Sequence, residues 1–173
     1  MNSTINPFSD PDSRELWEIL ICRDIEGFLN QNWSLVAGDF LDVGFMGIDG
    51  CFLSNPDGWK LTFPDLASYR HAWLAQSRQF NNTRFLDDPR EALYRAMRLS
   101  RVEVEGDSAL VHKKFNGSIR LETGGCLKLC WQSLFFCRRI DGLYKIAGFV
   151  GYLPNLVSDE TQSVLNQEVT LDQ

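Results

Sequence analysis

The chain has 173 residues, a length that suits one domain of ordinary size. Its net charge of −6 and the lack of a basic stripe argue against nucleic acid as the main partner and against a purely electrostatic contact with a membrane. No segment approaches the roughly 18 consecutive apolar residues that a membrane span needs. The polar, turn-rich N-terminus does not look like a secretory signal, so we expect a cytoplasmic location.

Residues 1–11 look like a loose arm, and the first helix is predicted to begin near Asp12. Asp12 and Glu15 stand three residues apart, as in a capping box. Apolar residues then recur at helical spacing as far as Phe28, and the helix is expected to end near Gln31. A second, short helix is predicted to follow and to end at about Asp39.

A first strand is predicted over residues 43–48, where glycines indicate a bulge or a close approach of the backbone. The turn sequence Asn55-Pro56-Asp57-Gly58 leads to a second short strand that ends at Phe63. A third helix is predicted to begin at Pro64, because an amphipathic stripe extends from there to Phe80. Residues 81–90 are predicted to form a loop.

From there the pattern changes to period two, which is typical of strands. Four strands are predicted, over residues 94–105, 108–122, 126–139 and 143–153. Their connections, Gly106-Asp107, Gly124-Gly125 and Asp141-Gly142, suit hairpins. Helices followed by an antiparallel meander define an α+β fold. We expect a single domain over residues 12–154 and a polar tail over residues 155–173.

The stretch CLKLCWQSLFFC, residues 126–137, is apolar on both faces of its predicted strand. Side chains alternate across a strand, so a strand with one wet face should show one polar set. One set here is almost wholly apolar, and the other carries only Lys128 and Gln132 as strongly polar members. Both faces should therefore be covered, one of them by a second subunit, and we expect the protein not to be a monomer.

The order of elements resembles the NTF2-like superfamily, the cystatin-like α+β cone that includes ketosteroid isomerase, scytalone dehydratase and the SnoaL-like cyclases. The resemblance is carried by IEGFLNQNWSLVAGDF, FPDLASYRHAWL, SRVEVEGDSALVHKKF and LFFCRRIDGLYKIAGFVGYLP. It implies three N-terminal helices packed on a strongly curved, mostly antiparallel sheet that ends in a four-stranded meander. It also implies a conical pocket and, in many members, a homodimer through the outer sheet face. The fold serves many chemistries, so function has to be argued from a site.

Two ionisable residues are the candidate acid/base groups. Asp24 lies within the apolar stripe of the first helix, the helix from which enzymes with this fold often direct a polar group into the cone. An acid in such a place is partly desolvated, which suits general acid/base work. A buried salt bridge is the alternative interpretation. His112 can also move protons near neutral pH, although its own strand face looks the wetter one.

The pocket wall is expected to be mostly aromatic, and Gln132 either donates a hydrogen bond to a ligand carbonyl or satisfies a neighbouring buried group. The predicted ligand-binding residues are Trp17, Phe28, Phe45, Tyr69, Trp73, Gln132 and Tyr152. The sequence has no Gly-rich phosphate loop and no His/carboxylate metal triad. The five cysteines have no metal-like spacing, so we expect free buried thiols, no metal and no cofactor.

Two functions remain open. The first is a pocket for a small, largely apolar molecule, with cofactor-free proton transfer such as isomerisation, dehydration or cyclisation. The second is a non-catalytic homodimeric binding or assembly module, favoured by the doubly apolar strand. A cone filled by aromatic side chains, with Asp24 paired to an arginine, would argue against the enzyme. An open pocket of several hundred Å³ with Asp24 unpaired at its floor would favour it.

Overall fold

The structure is a computed structural model that describes residues 4–155 of the chain. Single 3-10 turns cover Trp33–Leu35, Ala37–Asp39 and Pro56–Gly58. In chain order the main elements are helix α1 over residues 11–29, strands β1 Met46–Asp49 and β2 Lys60–Phe63, helices α2 Leu66–Asn82 and α3 Pro89–Ala96, and strands β3 Met97–Glu105, β4 Ser108–Arg120, β5 Cys126–Ile140 and β6 Leu143–Leu153.

Helix α1 consists of an α-helix over Pro11–Trp17, a π-helical turn over Glu18–Arg23 and an α-helix over Asp24–Leu29. The carboxylate of Asp10 caps it by accepting a hydrogen bond from the Ser13 N–H at 2.8 Å. The predicted capping box at Asp12 was wrong, because proline tolerates the first helical position and the helix begins there. The π-helical turn was not predicted. Such turns interrupt the regular 3.6-residue period and often lie at functional sites.

The six strands form one curved sheet in the order β2-β1-β6-β5-β4-β3. Neighbours pair antiparallel except β1 and β6, which are parallel. Bulges interrupt β3 between Leu99 and Arg101 and the β5–β6 pair at two places. Bulges bend a strand and increase its twist, which lets the sheet curl around α1. The predicted α+β class and the antiparallel meander are confirmed.

Helix α3 lies where the sequence predicted a loop and the start of a strand. Asp88 caps it by accepting a hydrogen bond from the Glu91 N–H at 2.9 Å, and Pro89 occupies its first turn. The Asp-Pro-Arg-Glu sequence is therefore a helix start, and β3 begins at Met97 rather than at residue 94.

The core lies between α1 and the concave face of the sheet. It contains Leu16, Leu20, Ile25, Val111 and Ile119, all of which are almost fully buried. Burying such side chains is the main favourable term in folding, at roughly 1.5–3 kcal/mol each. The packing fixes the position of α1 over the meander, and with it the position of Asp24.

The two ends of the chain are described only in part. Within the predicted arm, Phe8 packs against the core and the Asn6 side chain donates a hydrogen bond to the Arg14 carbonyl at 3.0 Å. Residues 1–3 and 156–173, which include almost all of the predicted tail, lie outside the described residues. Between residues 4 and 155, no helix combines the length and the hydropathy needed to cross a lipid bilayer.

Candidate functional site

A cavity of about 560 Å³ opens between helices α1 and α2 and the concave face of the sheet. The volume lies within the range of about 300–1,000 Å³ that is usual for ligand sites. Polar side chains at its exposed rim include Gln76, Gln79 and Lys128. The wall is largely aromatic and is formed by Phe28, Phe63, Tyr69, Trp73, Phe80, Phe115, Trp131, Phe135, Phe149 and Tyr152.

A buried ion pair lines this cavity. The ammonium group of Lys113 donates hydrogen bonds to Asp24 Oδ2 at 2.8 Å and to the Leu20 carbonyl at 2.6 Å. The indole N–H of Trp73 donates to Asp24 Oδ1 at 3.2 Å. The Lys113 side chain is only 2% exposed, whereas that of Asp24 is 31% exposed. Both carboxylate oxygens thus have a protein donor, and the carboxylate still faces the open space.

The local folding of two elements brings the pair together. Asp24 begins the α-helical segment that follows the π-helical turn of α1. Lys113 lies on β4 between Val111 and Phe115 on the inward-facing set, because side chains alternate along a strand. The alternative interpretation of Asp24 as a salt-bridged residue is therefore correct, although its partner is a lysine rather than an arginine.

Two hydroxyl groups in the wall have no hydrogen-bond partner among residues 4–155. The first belongs to Tyr69 on α2, where burial, and then the nearby Asp24 and Tyr152, raise the pKa of the phenol well above its usual value. Tyr69 therefore stays protonated and can donate a hydrogen bond. The second belongs to Ser133 on β5, which stands directly opposite Lys113 in the β4–β5 register. Both groups are available to a ligand oxygen.

Tyr152 and Gln76 meet across one side of the cavity. Their side chains hydrogen-bond at 3.2 Å, between the Gln76 amide nitrogen and the phenol oxygen. The Tyr152 ring also contacts those of Phe52 and Trp131, at centroid distances of 5.8 and 5.7 Å. Tyr152 has a φ of 53°, in the left-handed region that non-glycine residues rarely adopt. Burial raises the pKa of its phenol.

The cavity brings together five of the residues predicted from the sequence: Asp24, Phe28, Tyr69, Trp73 and Tyr152. Trp17 and Phe45 are buried in other parts of the core and do not line it. Trp17 packs near Tyr94, and Phe45 packs against Phe40.

Strand alternation turns the other two predicted residues away from the cavity. Gln132 donates its amide hydrogen to the Pro154 carbonyl at 2.7 Å. His112 lies on the outer face, where its Nε2 is 3.8 Å from a Glu103 carboxylate oxygen. Lys113, which also lines the cavity, was not among the site residues predicted from the sequence. A lysine within an inward-facing apolar set is the signal that could have found it.

The described part of the chain holds no preformed cluster of metal ligands. Among residues 4–155, no group of three or more His, Cys, Asp and Glu side chains is placed to hold one ion. The titratable groups at the cavity floor are the carboxylate of Asp24, the amine of Lys113 and the phenol of Tyr69. This set suits hydrogen bonding and proton transfer.

Solved structures of the same architecture come from several bacteria. An NTF2-like protein from Streptomyces avermitilis, provisionally named a dehydratase, matches with a TM-score of 0.57 at 16% identity, over 86% of this chain and 100% of the other. Aln2 from another Streptomyces species gives 0.53 at 14% identity, over 91% and 99%. An NTF2-like protein with a cystatin-like fold from Novosphingobium aromaticivorans gives 0.51 at 14% identity, over 89% and 88%.

Sequence comparison gives no such match. No family model matches the chain, and no curated protein matches it at a significant level. At these identities the solved structures establish architecture alone. The chain has the NTF2-like, cystatin-like α+β fold.

Proposed function

We propose that the protein binds a small, neutral, largely apolar molecule in the cavity and transfers a proton on it with the Asp24–Lys113 pair. The observation that carries the proposal is an ion pair exposed to an aromatic cavity of about 560 Å³. Residues of a closed core would fill such a space, because protein interiors are packed to crystal density. The reaction class is a cofactor-free isomerisation, dehydration or cyclisation.

The electrostatics of the pair favour a neutral ligand. The charges of Asp24 and Lys113 cancel, so the floor attracts neither an anion nor a cation strongly. A carbonyl or hydroxyl oxygen can accept a hydrogen bond from Tyr69 or Ser133, while the Asp24 carboxylate accepts a proton from the ligand. A ligand that fills the space also excludes water, which strengthens every interaction inside the cavity.

The binding test is a titration with 2-methylnaphthalene, followed by tryptophan fluorescence, because Trp73 and Trp131 stand in the wall. We expect a dissociation constant of about 10–100 μM for an apolar probe of this size. Ala72→Trp should abolish binding by filling the cavity from α2. Ala75→Trp, on the exposed side of the same helix, should leave binding unchanged. Equal binding by both variants would overturn the proposal.

The test of chemistry is deuterium uptake from D₂O into the methyl group of 2-acetylnaphthalene, measured by mass spectrometry. Asp24→Asn keeps a side chain of the same shape but removes the proton acceptor. It should bind the ketone as the wild type does and lose the enhancement of exchange over buffer. If the wild-type protein binds the ketone without enhancing exchange, ligand binding stands and the proposed catalysis is refuted.

A homodimeric assembly is the second candidate function, and one feature of the outer sheet face favours it. Phe136 and Ile140 of β5 and Leu143 of β6 are 46%, 41% and 58% exposed. Exposed apolar side chains that cluster on one face are typical of contact surfaces. A dimer through this face is compatible with a ligand cavity on the concave face.

A further inference from the structure

Lys113 lies in the cavity wall, in surroundings that water hardly reaches. Its Nζ has two hydrogen-bond acceptors among residues 4–155, the Leu20 carbonyl and Asp24 Oδ2. An ammonium group carries three N–H bonds, so one of them has no acceptor in this part of the chain. The rings of Phe115 and Phe135, which also line the cavity, have centroids 5.1 and 5.8 Å from Nζ.

The pair can exchange its proton when a ligand arrives. Asp24 is 31% exposed in the open cavity, so water supports its charge. An apolar ligand displaces that water, and a desolvated ion pair is costly compared with its neutral form. Attack on a carbonyl requires that this proton pass from Lys113 Nζ to Asp24 Oδ2 over their 2.8 Å hydrogen bond. What results is a neutral amine beside a carboxylic acid, which is the arrangement that amine nucleophiles use.

We propose that Lys113 forms a Schiff base with an aldehyde or ketone carbonyl of a neutral, aromatic-sized ligand. The inference rests on the proposed function, because it requires the cavity to bind that ligand. Nζ attacks the carbonyl carbon, the C=O π bond breaks, and proton shifts through Asp24 give a neutral carbinolamine. Asp24 then protonates the departing hydroxyl. The products are an iminium on Lys113, an Asp24 carboxylate and one water molecule, and nothing is oxidised or reduced.

The neighbouring hydroxyl groups fit this chemistry. Ser133 lies opposite Lys113 in the strand register, and Tyr69 lines the same cavity as Asp24. Neither hydroxyl has a protein partner among residues 4–155. Both can therefore donate a hydrogen bond to the negatively charged oxygen of the first adduct, before proton shifts give the neutral carbinolamine. A purely structural ion pair does not require two unpartnered hydroxyl groups beside it.

The adjacent lysine provides an internal control. Lys114 follows Lys113 on β4 and points to the outer face, away from the cavity. Any reagent that modifies lysines by exposure alone should prefer Lys114, since the Lys113 side chain is 2% exposed. Preference for the buried lysine would require binding in the cavity.

The test is reductive trapping with 2-naphthaldehyde and sodium cyanoborohydride, with peptide mapping of the naphthylmethyl adduct. We expect adduct at Lys113 to form at least about tenfold faster than at Lys114, because binding raises the local concentration of the aldehyde. Excess 2-methylnaphthalene, which has no carbonyl, should suppress the adduct at Lys113 and leave that at Lys114 unchanged. Asp24→Asn should slow the adduct at Lys113 and leave that at Lys114 unchanged.

The outcomes separate this inference from the function on which it rests. If 2-methylnaphthalene does not bind, the proposed function fails. If it binds and Lys113 is labelled no faster than Lys114, the Schiff base is refuted and non-covalent proton transfer stands. Because the comparison of the two lysines is made in the wild-type protein, a variant that does not fold leaves the result intact.

Discussion

Lys113 holds its ammonium group between a carboxylate and a backbone carbonyl, and removing it leaves both acceptors without their donor. We predict that Lys113→Met lowers the free energy of unfolding by about 3 kcal/mol, because breaking a buried ion pair strands the remaining charge. The Trp73 indole and partial exposure to the cavity still support Asp24, which keeps the cost at the lower end of the usual range. Urea unfolding measures the loss.

The control for this prediction is Lys114→Met, one residue further along the same strand. It should change the free energy of unfolding by less than about 0.5 kcal/mol, as surface substitutions do. The double variant Asp24→Leu/Lys113→Met should be more stable than Lys113→Met alone, because apolar side chains of similar size replace both charges. Additive losses from the two sites would contradict a direct interaction between them.

Strand β5 has two faces that differ more than its sequence suggests. Its inner set includes Leu129, Ser133, Phe135 and Cys137, all buried. On the outer set, Cys126, Lys128, Cys130, Phe136, Arg138 and Ile140 are exposed. The expectation of buried thiols is therefore correct for Cys137 and wrong for Cys126 and Cys130, since a thiol is apolar enough for either face.

The reactivity of the three β5 thiols therefore tests how β5 is paired in the sheet. Burial raises the pKa of the Cys137 thiol to about 12. At pH 8 its thiolate fraction should be about a thousandfold below that of an ordinary cysteine, and reaction requires the thiolate. We predict that iodoacetamide modifies Cys126 and Cys130 in the folded protein and spares Cys137 until denaturant is added. Peptide mapping reads the three sites separately.

A slip of one residue in the pairing of β5 would reverse this pattern, because it moves every side chain to the opposite face. Rapid labelling of Cys137, together with protection of Cys126, would therefore contradict the register of the sheet. Labelling in denaturant is the control, and there all three thiols should react.

The sequence predicted elements where one local signal dominates. Alternation and hairpin residues located the four strands of the meander to within a few residues. Helix α3 was missed because its eight residues are too few to show a clear period, and only its Asp88 cap marked it. The π-helical turn over Glu18–Arg23 was missed as well, because the apolar residues around it still recur at helical spacing.

The site was half predictable for the same physical reason. Asp24 was found because an acid in an apolar stripe is visible within one helix. Its partnership with Lys113 joins residues 89 positions apart and depends on how α1 lies across the sheet. His112 and Gln132 were chosen by residue type, and strand alternation alone decides that they point outward.

The outer sheet face carries charges of both signs beside its apolar residues. Glu103 and Glu105 lie on β3, at one edge of the sheet, where Glu103 pairs with Arg101 of the same strand at 2.6 Å, while Arg138 and Lys145 lie on β5 and β6. Charges of both signs on one face can meet across a two-fold axis, because such an axis sets a patch against its own copy. Self-complementary patches of this kind are what isologous dimers require.

We predict that the protein is a dimer in solution and that Phe136→Asp makes it monomeric, as measured by light scattering after size exclusion. A carboxylate in the centre of the patch would have to be desolvated on association, which costs several kcal/mol and exceeds what one rim contact can return.

Val43→Asp, at a side chain that is 90% exposed outside the patch, is the matched control and should remain dimeric. The monomeric variant should still bind 2-methylnaphthalene, because the cavity opens on the opposite side of the sheet. A wild-type monomer would refute the dimer, and loss of binding in the Phe136→Asp monomer would show that the cavity is complete only in the assembled protein.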